Sequence, residues 1–221
     1  MGLLFYNSCR LATQFVKMQC IREVVIGGER TDRTGGFILA CSHLSHLEPF
    51  MVSCAVKRRV RWMARAEFYQ PWWAAAVLNG GGAFRVDRLG NSLPAVRTAI
   101  RLANASEVVG IFPEGGVATG AQSVLRGAAI KQGVCTIAIQ TRVPIIPVVI
   151  LGTEALNRVG PWLPFKRGRV WIAFGQDVLP APRGISRRAD RVELALRLRE
   201  EFVRTYERLR IQTGVRDEQV P

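Results

Sequence analysis

Residues 145–151 read Ile-Ile-Pro-Val-Val-Ile-Leu, seven apolar residues in succession, five of them β-branched. Side chains branched at Cβ are stiff at χ1 and fit a pleated strand better than a helix. A strand with no polar side has to be covered on both faces, which places it inside a sheet flanked by helices. Residues 108–112 form a second apolar strand, and shorter strand-like runs fall at 23–26, 36–41, 83–86 and 169–174. Between them the spacing predicts helices at 49–56, 71–78, 93–104 and 132–140. The clearest helix begins at Ser186, with Val192, Leu196, Phe202, Val203, Tyr206 and Leu209 on one face and Arg197, Glu200, Glu201, Arg204 and Arg208 on the other; Gly214 stops it. Strands alternating with helices define an α/β fold: a single domain with a mixed, largely covered β-sheet flanked by helices. At 221 residues the chain can bury a sizeable core as one domain, and neither a repeat nor a dividing linker is visible.

Residues 1–21 precede this domain and read as an amphipathic helix. Leu4, Leu11, Phe15 and Met18 share a face that Phe5, Ala12 and Val16 widen, while Asn7, Arg10, Gln14 and Lys17 form a polar stripe. Two readings stay open for it: a helix packed on the core, or one lying in the headgroup region of a membrane. Arg10 and Lys17 interrupt the segment, and no small-residue cleavage site of a secretory signal follows. The longest uncharged stretch, 68–84, contains Gln70, Pro71, Asn79 and three glycines and makes a poor spanning helix.

Charge narrows the partners. Thirty-one Lys and Arg against 17 Asp and Glu give a formal net charge of +14, and all but four of the cations are Arg. An anionic partner is expected: nucleic acid, an anionic membrane surface, or a phosphorylated or CoA-bearing substrate. Nucleic acid is disfavoured, because no RRM, KH or zinc-finger pattern is present and the basic run Lys57, Arg58, Arg59, Arg61 and Arg65 is not interleaved as a stacking platform. The five cysteines, an odd number without metal-type spacing, point to free thiols in a reducing compartment.

The chain has two histidines, and both lie in Cys41-Ser-His-Leu-Ser-His-Leu-Glu-Pro-Phe50, between a strand and a Pro-started helix. Strand-to-helix turns are where α/β proteins place their sites. His43 with Glu48 five residues on can form a dyad, the carboxylate orienting one ring nitrogen while the other accepts a proton. Other readings of these residues are a Cys41/His43/His46 metal cluster, a Cys41–His43 nucleophile, and two solvated turn histidines. No distant Cys/His set completes a metal site, and the chain has neither a G-x-S-x-G elbow nor a G-x-x-x-x-G-K-[ST] loop. Two further blocks sit at strand ends: Arg85 and Arg88 around Asp87, and Glu114 followed by Gly115 and Gly116. Arg88 suits a phosphate.

In order, His43 to Glu48-Pro49, Gly82 to Asp87-Arg88, Phe112-Pro113-Glu114-Gly115 and Val143 to Pro147 resemble the four motifs of the glycerolipid acyltransferase family. The resemblance spans about residues 20–175. In the first motif Ser42 replaces the usual Asn and Glu48 the usual Asp, and Gly116 stands where the third motif has Thr or Ser. The resemblance implies an acyltransferase domain at 22–221, preceded by a membrane-associating helix at 1–21. It implies His43 as general base, Glu48 as its orienting partner, Arg88 with Arg85 nearby on the acceptor's phosphate, and Glu114 and Gly115 shaping the acceptor pocket. Pro144 and Pro147 are expected to serve packing. The implied reaction moves a fatty acyl group from acyl-CoA or acyl-carrier protein to the hydroxyl of a lysophospholipid, without metal or other cofactor. Another lipid acceptor, or an inactive relative that only binds anionic membranes, are the alternatives. The implied location is monotopic, on the cytoplasmic face of a membrane, with the first helix and Trp72-Trp73 in contact with lipid.

Overall fold

In the computed structural model, residues 2–87, 92–153, 168–181 and 187–215 are described. The elements run α1 (Gly2–Cys20), β1 (Ile21–Ile26), β2 (Phe37–Cys41), α2 (Glu48–Ala55), β3 (Val60–Arg65), α3 (Trp72–Gly81), β4 (Phe84–Val86), α4 (Leu93–Asn104), β5 (Val108–Ile111), α5 (Gly133–Thr141), β6 (Ile145–Leu151), β7 (Gly168–Phe174) and α6 (Arg187–Thr213). The seven strands form one sheet in the order β1-β7-β6-β2-β5-β3-β4. All neighbours are parallel except β6 and β7, so the sheet is mixed as expected.

The apolar runs occupy the centre. Every residue of β2, β5 and β6 is buried. Alternate side chains feed two cores: Ile38, Ala40, Val109 and Ile111 pack with Ile137 of α5 and Phe202 and Tyr206 of α6. Phe37, Leu39, Cys41 and Ile146 pack on the other face with Met51 and Val52 of α2. Both faces are thus covered, and apolar burial at about 25 cal/mol per Å² drives the layering.

Nothing in the residue pattern marks a strand within the basic run at 57–65. The run nevertheless holds one: β3 points Val60 and Trp62 into the core, with Arg61 between them and Arg65 at its end. A strand of six residues broken by Arg61 and ended by Arg65 has too short an apolar run to reveal it.

α1 sits on the domain through Tyr6, Arg10, Thr13 and Lys17, while Asn7 and Gln14 of its polar stripe are exposed. Tyr6 and Lys17 are buried, while Leu4, Leu11, Phe15 and Met18 are 77%, 73%, 65% and 74% exposed. Lys17 Nζ meets Glu23 Oε2 of β1 at 2.6 Å, the Arg10 guanidinium donates to the Lys57 carbonyl at 3.0 Å, and the Tyr6 hydroxyl accepts from the Val60 amide at 3.2 Å. Of the two readings of this helix, core packing through its apolar face is excluded. Trp72 and Trp73 of α3 are exposed as well. Among the described residues no helix is long and apolar enough to cross a membrane.

Candidate active site

The site forms where β2 hands over to α2. Beyond Cys41 the chain still follows β6: the Ser42 amide donates to the Val148 carbonyl at 2.9 Å, and the Ser42 hydroxyl accepts from the Ile150 amide at 3.0 Å. His43 is thereby delivered to the carboxyl edge of the sheet, at its centre, where open α/β sheets hold ligands. Pro49 sits in the first turn of α2, and Glu48 opens that helix.

Glu48 is fully buried and His43 nearly so. Glu48 Oε2 lies 2.6 Å from His43 Nδ1. Its other oxygen, Oε1, accepts from the Leu44 and Ser45 amides at 2.7 Å each and from the Thr153 hydroxyl at 2.9 Å. An acceptor-only carboxylate against Nδ1 makes Nδ1–H the donor and leaves the Nε2 lone pair of the neutral ring free. The ring plane is set from its flat side: His43 stacks on Phe112 at 4.1 Å between centroids, and Phe112 stacks on Trp62 at 5.2 Å. Trp62 is fixed in turn by its Nε1–H, which donates to the Ser53 hydroxyl of α2 at 2.9 Å. Gly110 on β5 makes room for this stack, because a Cβ there would stand 2.4 Å from the Trp62 ring.

Glu114 reaches the same turn from β5. Its Oε2 accepts from the His43 amide at 2.7 Å, and its Oε1 from the Val124 amide at 2.7 Å and the Ser123 hydroxyl at 3.0 Å. Burial pushes its carboxyl up to about 7, against the downward pull of those hydrogen bonds. The His43 carbonyl accepts from the Ala118 amide at 2.9 Å, so the His43 backbone is held on both sides by the 114–124 segment.

His46 meets His43 edge-on at 5.8 Å and Phe68 at 5.6 Å. Burial and the neighbouring His43 hold it below the usual histidine range, with Arg65 adding to the effect and Glu48 opposing it. The Cys41 thiol is fully buried and pushed well up by that burial and by Glu48, so it is no thiolate nucleophile for His43. Among the described residues no group of three or more His, Cys, Asp or Glu side chains could hold a metal ion.

A largely apolar cavity of about 570 Å³ opens beside His43, between α1 and α3. His43, His46, Phe50, Trp62 and Phe68 line one end, and Tyr6, Cys9, Arg10 and Thr13 of α1 line the other. A smaller space of about 220 Å³ lies beyond Met63 and Phe112, which line both; Gly115 and Lys131 line it too. Gly115 has φ +81°, and the Lys131 side chain occupies the position a Cβ would need.

The structure therefore brings together His43, Glu48 and Glu114. Gly115 lines the smaller cavity. Arg85 is exposed, with its guanidinium 4.4 Å from the centroid of the Tyr69 ring, and lines neither space. Arg88 lies outside the described residues. Two cations among the described residues do line the large cavity: Arg10 at its α1 end, which donates to the Lys57 carbonyl, and Arg65 at the end of His46 and Phe68, which pairs with Glu67 at 3.1 Å and leaves its buried Nε without a partner. Sequence reasoning placed Arg65 only within a basic run. Its position at the end of a strand was the missing signal, and Thr153, 105 residues from Glu48, gave none.

A buried His–carboxylate pair at the head of an apolar cavity can present a general base to a substrate with an apolar part. The model of the Acyltransferase family matches residues 23–151. More than half of the chain is matched, and the chain belongs to the glycerolipid acyltransferase family. It is 26% identical over 155 residues to the 1-acyl-sn-glycerol-3-phosphate acyltransferase of Bacillus subtilis (strain 168), covering 70% of this chain and 72% of that one. Its fold is similar to the crystal structure of the 1-acyl-sn-glycerophosphate (LPA) acyltransferase PlsC from Thermotoga maritima, with a TM-score of 0.69 and 20% identity over 95% of this chain and 79% of that one.

Proposed function

We propose that this acyltransferase moves a fatty acyl group from an acyl thioester, acyl-CoA or acyl-carrier protein, to the free hydroxyl of a lysophospholipid, 1-acyl-sn-glycerol-3-phosphate, giving phosphatidic acid. The observation that carries the reading is the His43–Glu48 pair set at the head of the 570 Å³ apolar cavity. The substrate named for the Bacillus subtilis relative supports the choice of acceptor.

In this reading His43 Nε2 takes the proton of the acceptor hydroxyl as that oxygen attacks the thioester carbonyl. A tetrahedral intermediate forms and collapses, the C–S bond breaks, and the imidazolium returns its proton to the departing thiolate. Glu48 fixes the ring tautomer and stabilises the imidazolium, a contribution of about 10²–10⁴ for a positioned base. Glu114 acts as a positioning residue through the His43 backbone rather than by touching the acceptor. Of the two described cations that line the cavity, Arg10 and Arg65, Arg65 is the one placed to meet the acceptor's phosphate, since it lies over Phe68 at the end that holds His43 and His46.

The exposed stripe of α1 and the pair Trp72-Trp73 are read as the surface that rests in the headgroup region, on the cytoplasmic face of a membrane. Each Lys or Arg near an anionic leaflet adds about 1 kcal/mol, and the large cavity opens between the two helices that would touch it.

The test is thiol release from palmitoyl-CoA by the purified protein with lysophosphatidic acid in anionic vesicles, beside His43→Ala. Acceptor-dependent release that falls by about three orders of magnitude in the variant is expected. Undiminished release in His43→Ala would overturn the role of His43. No release with this acceptor, but release with another lysolipid, would overturn the acceptor.

A further inference from the structure

Glu48 has two oxygens and one task, to present Oε2 to His43. Two of the donors that hold the other oxygen are amides of the turn itself, Leu44 and Ser45. They move with the turn and cannot fix it against the sheet. The third comes from another element: Thr153, fully buried, donates its hydroxyl to Oε1 at 2.9 Å from just beyond the end of β6.

Its placement follows from the backbone. Gly152 has φ +87°, a left-handed conformation that side chains disfavour, and a Cβ there would meet the Arg169 carbonyl at 2.1 Å. The chain therefore leaves the strand at once after Leu151, and the Thr153 hydroxyl meets Glu48. Because β6 is hydrogen-bonded to β2 and continues the ladder to Ser42, the hydroxyl is anchored in the same sheet that delivers His43.

We infer that Thr153 is a positioning residue for catalysis: its hydroxyl locks the rotation of the Glu48 carboxylate so that Oε2 stays on His43 Nδ1. Without that donor Oε1 keeps two amide partners, and the carboxylate can pivot about them. The Nδ1–H then loses its fixed acceptor, and Nε2 loses its aim at the acceptor hydroxyl. Substrate binding is untouched, because Thr153 lines neither cavity. This rests on His43 serving as the base.

Thr153→Val keeps the shape and removes the hydroxyl, and Thr153→Ser keeps the hydroxyl. Both are measured in the thiol-release assay beside His43→Ala. The expected result is a kcat about tenfold lower in Thr153→Val with an unchanged KM, restored to near wild type in Thr153→Ser. In proton NMR the His43 Nδ1–H, held at 2.6 Å from Glu48, should resonate far downfield in the wild type and in Thr153→Ser. In Thr153→Val the resonance should move upfield or broaden away. Wild-type kcat with an unmoved resonance in Thr153→Val, while His43→Ala is inactive, would overturn the inference alone. Full activity in His43→Ala would overturn the reading beneath it. If Thr153→Val fails to fold by circular dichroism, Thr153→Ala carries the same comparison. Unfolding of both would make the residue merely structural and overturn the inference.

Discussion

Two regions of this molecule treat polar groups in opposite ways. In the turn after β2, polar side chains are buried and answered: Glu48 receives four donors, Glu114 three, and Ser42 closes on β6. In α1 the polar groups of Tyr6, Arg10 and Lys17 are also turned inward, onto Val60, Lys57 and Glu23, but the apolar stripe is left facing out. The first region is complete within the chain. The second leaves its apolar stripe exposed, the surface that the proposed function assigns to a membrane. A catalytic constellation must be rigid before substrate arrives, whereas a docking surface has to remain open until its partner is there.

The largest effect comes from breaking the completed region. Glu48→Gln keeps the shape but must turn an NH₂ group toward a donor, either an amide or Nδ1–H. Leaving one buried donor opposed is expected to lower kcat by about 10²–10³ and to reduce stability by about 1–3 kcal/mol, read by steady-state kinetics and urea melts. A wild-type melt with lost activity would separate the two roles.

A smaller effect, and one of opposite kind, comes from the two stripes of α1. Leu11→Ser with Phe15→Ser should weaken binding to anionic vesicles by about tenfold, measured by co-sedimentation, while the melting curve stays put, because these side chains touch little of the domain. Lys17→Ala should do the reverse: vesicle binding is retained, and about 3 kcal/mol of stability is lost as Glu23 is left without its partner in a mostly buried site. If both variants behaved alike, the two-stripe description of α1 would fall.

The smallest effect is a slope. The Glu114 carboxyl is raised by burial to about 7 in the folded chain. Between the unfolded carboxylate value and that pH the folded state holds the extra proton, so this group's contribution to stability is present at low pH and is lost as pH rises to about 7. Glu114→Gln should flatten the fall in melting temperature over that window, measured by calorimetry. An unchanged slope would show that another group causes it.

Much of the architecture was legible because burial writes itself into sequence. β5 and β6 are apolar throughout, as strands covered on both faces must be, and α6 alternates its faces at helical spacing. β3 was not legible, since its inward pair Val60 and Trp62 is too short a signal among arginines. The spacing of His43 and Glu48 foretold a pair, and five residues across a strand-to-helix turn is what brings them to 2.6 Å. Periodicity divided α1 into two faces without saying which one meets the domain; that was decided by Lys17 finding Glu23. Nor can a sequence say that Glu114 spends its oxygens on backbone amides, since those partners become neighbours only once β2 and β5 are paired.

Gly110 leads further. It has no side chain, lies under the Trp62 ring, and through Trp62 and Phe112 sets the tilt of His43. A single methyl group added there would push on a column of three rings and arrive at the imidazole as a change of angle. In a mutational scan scored for growth, Gly110 would thus be counted among the intolerant positions beside His43 and Glu48, although it lines neither cavity.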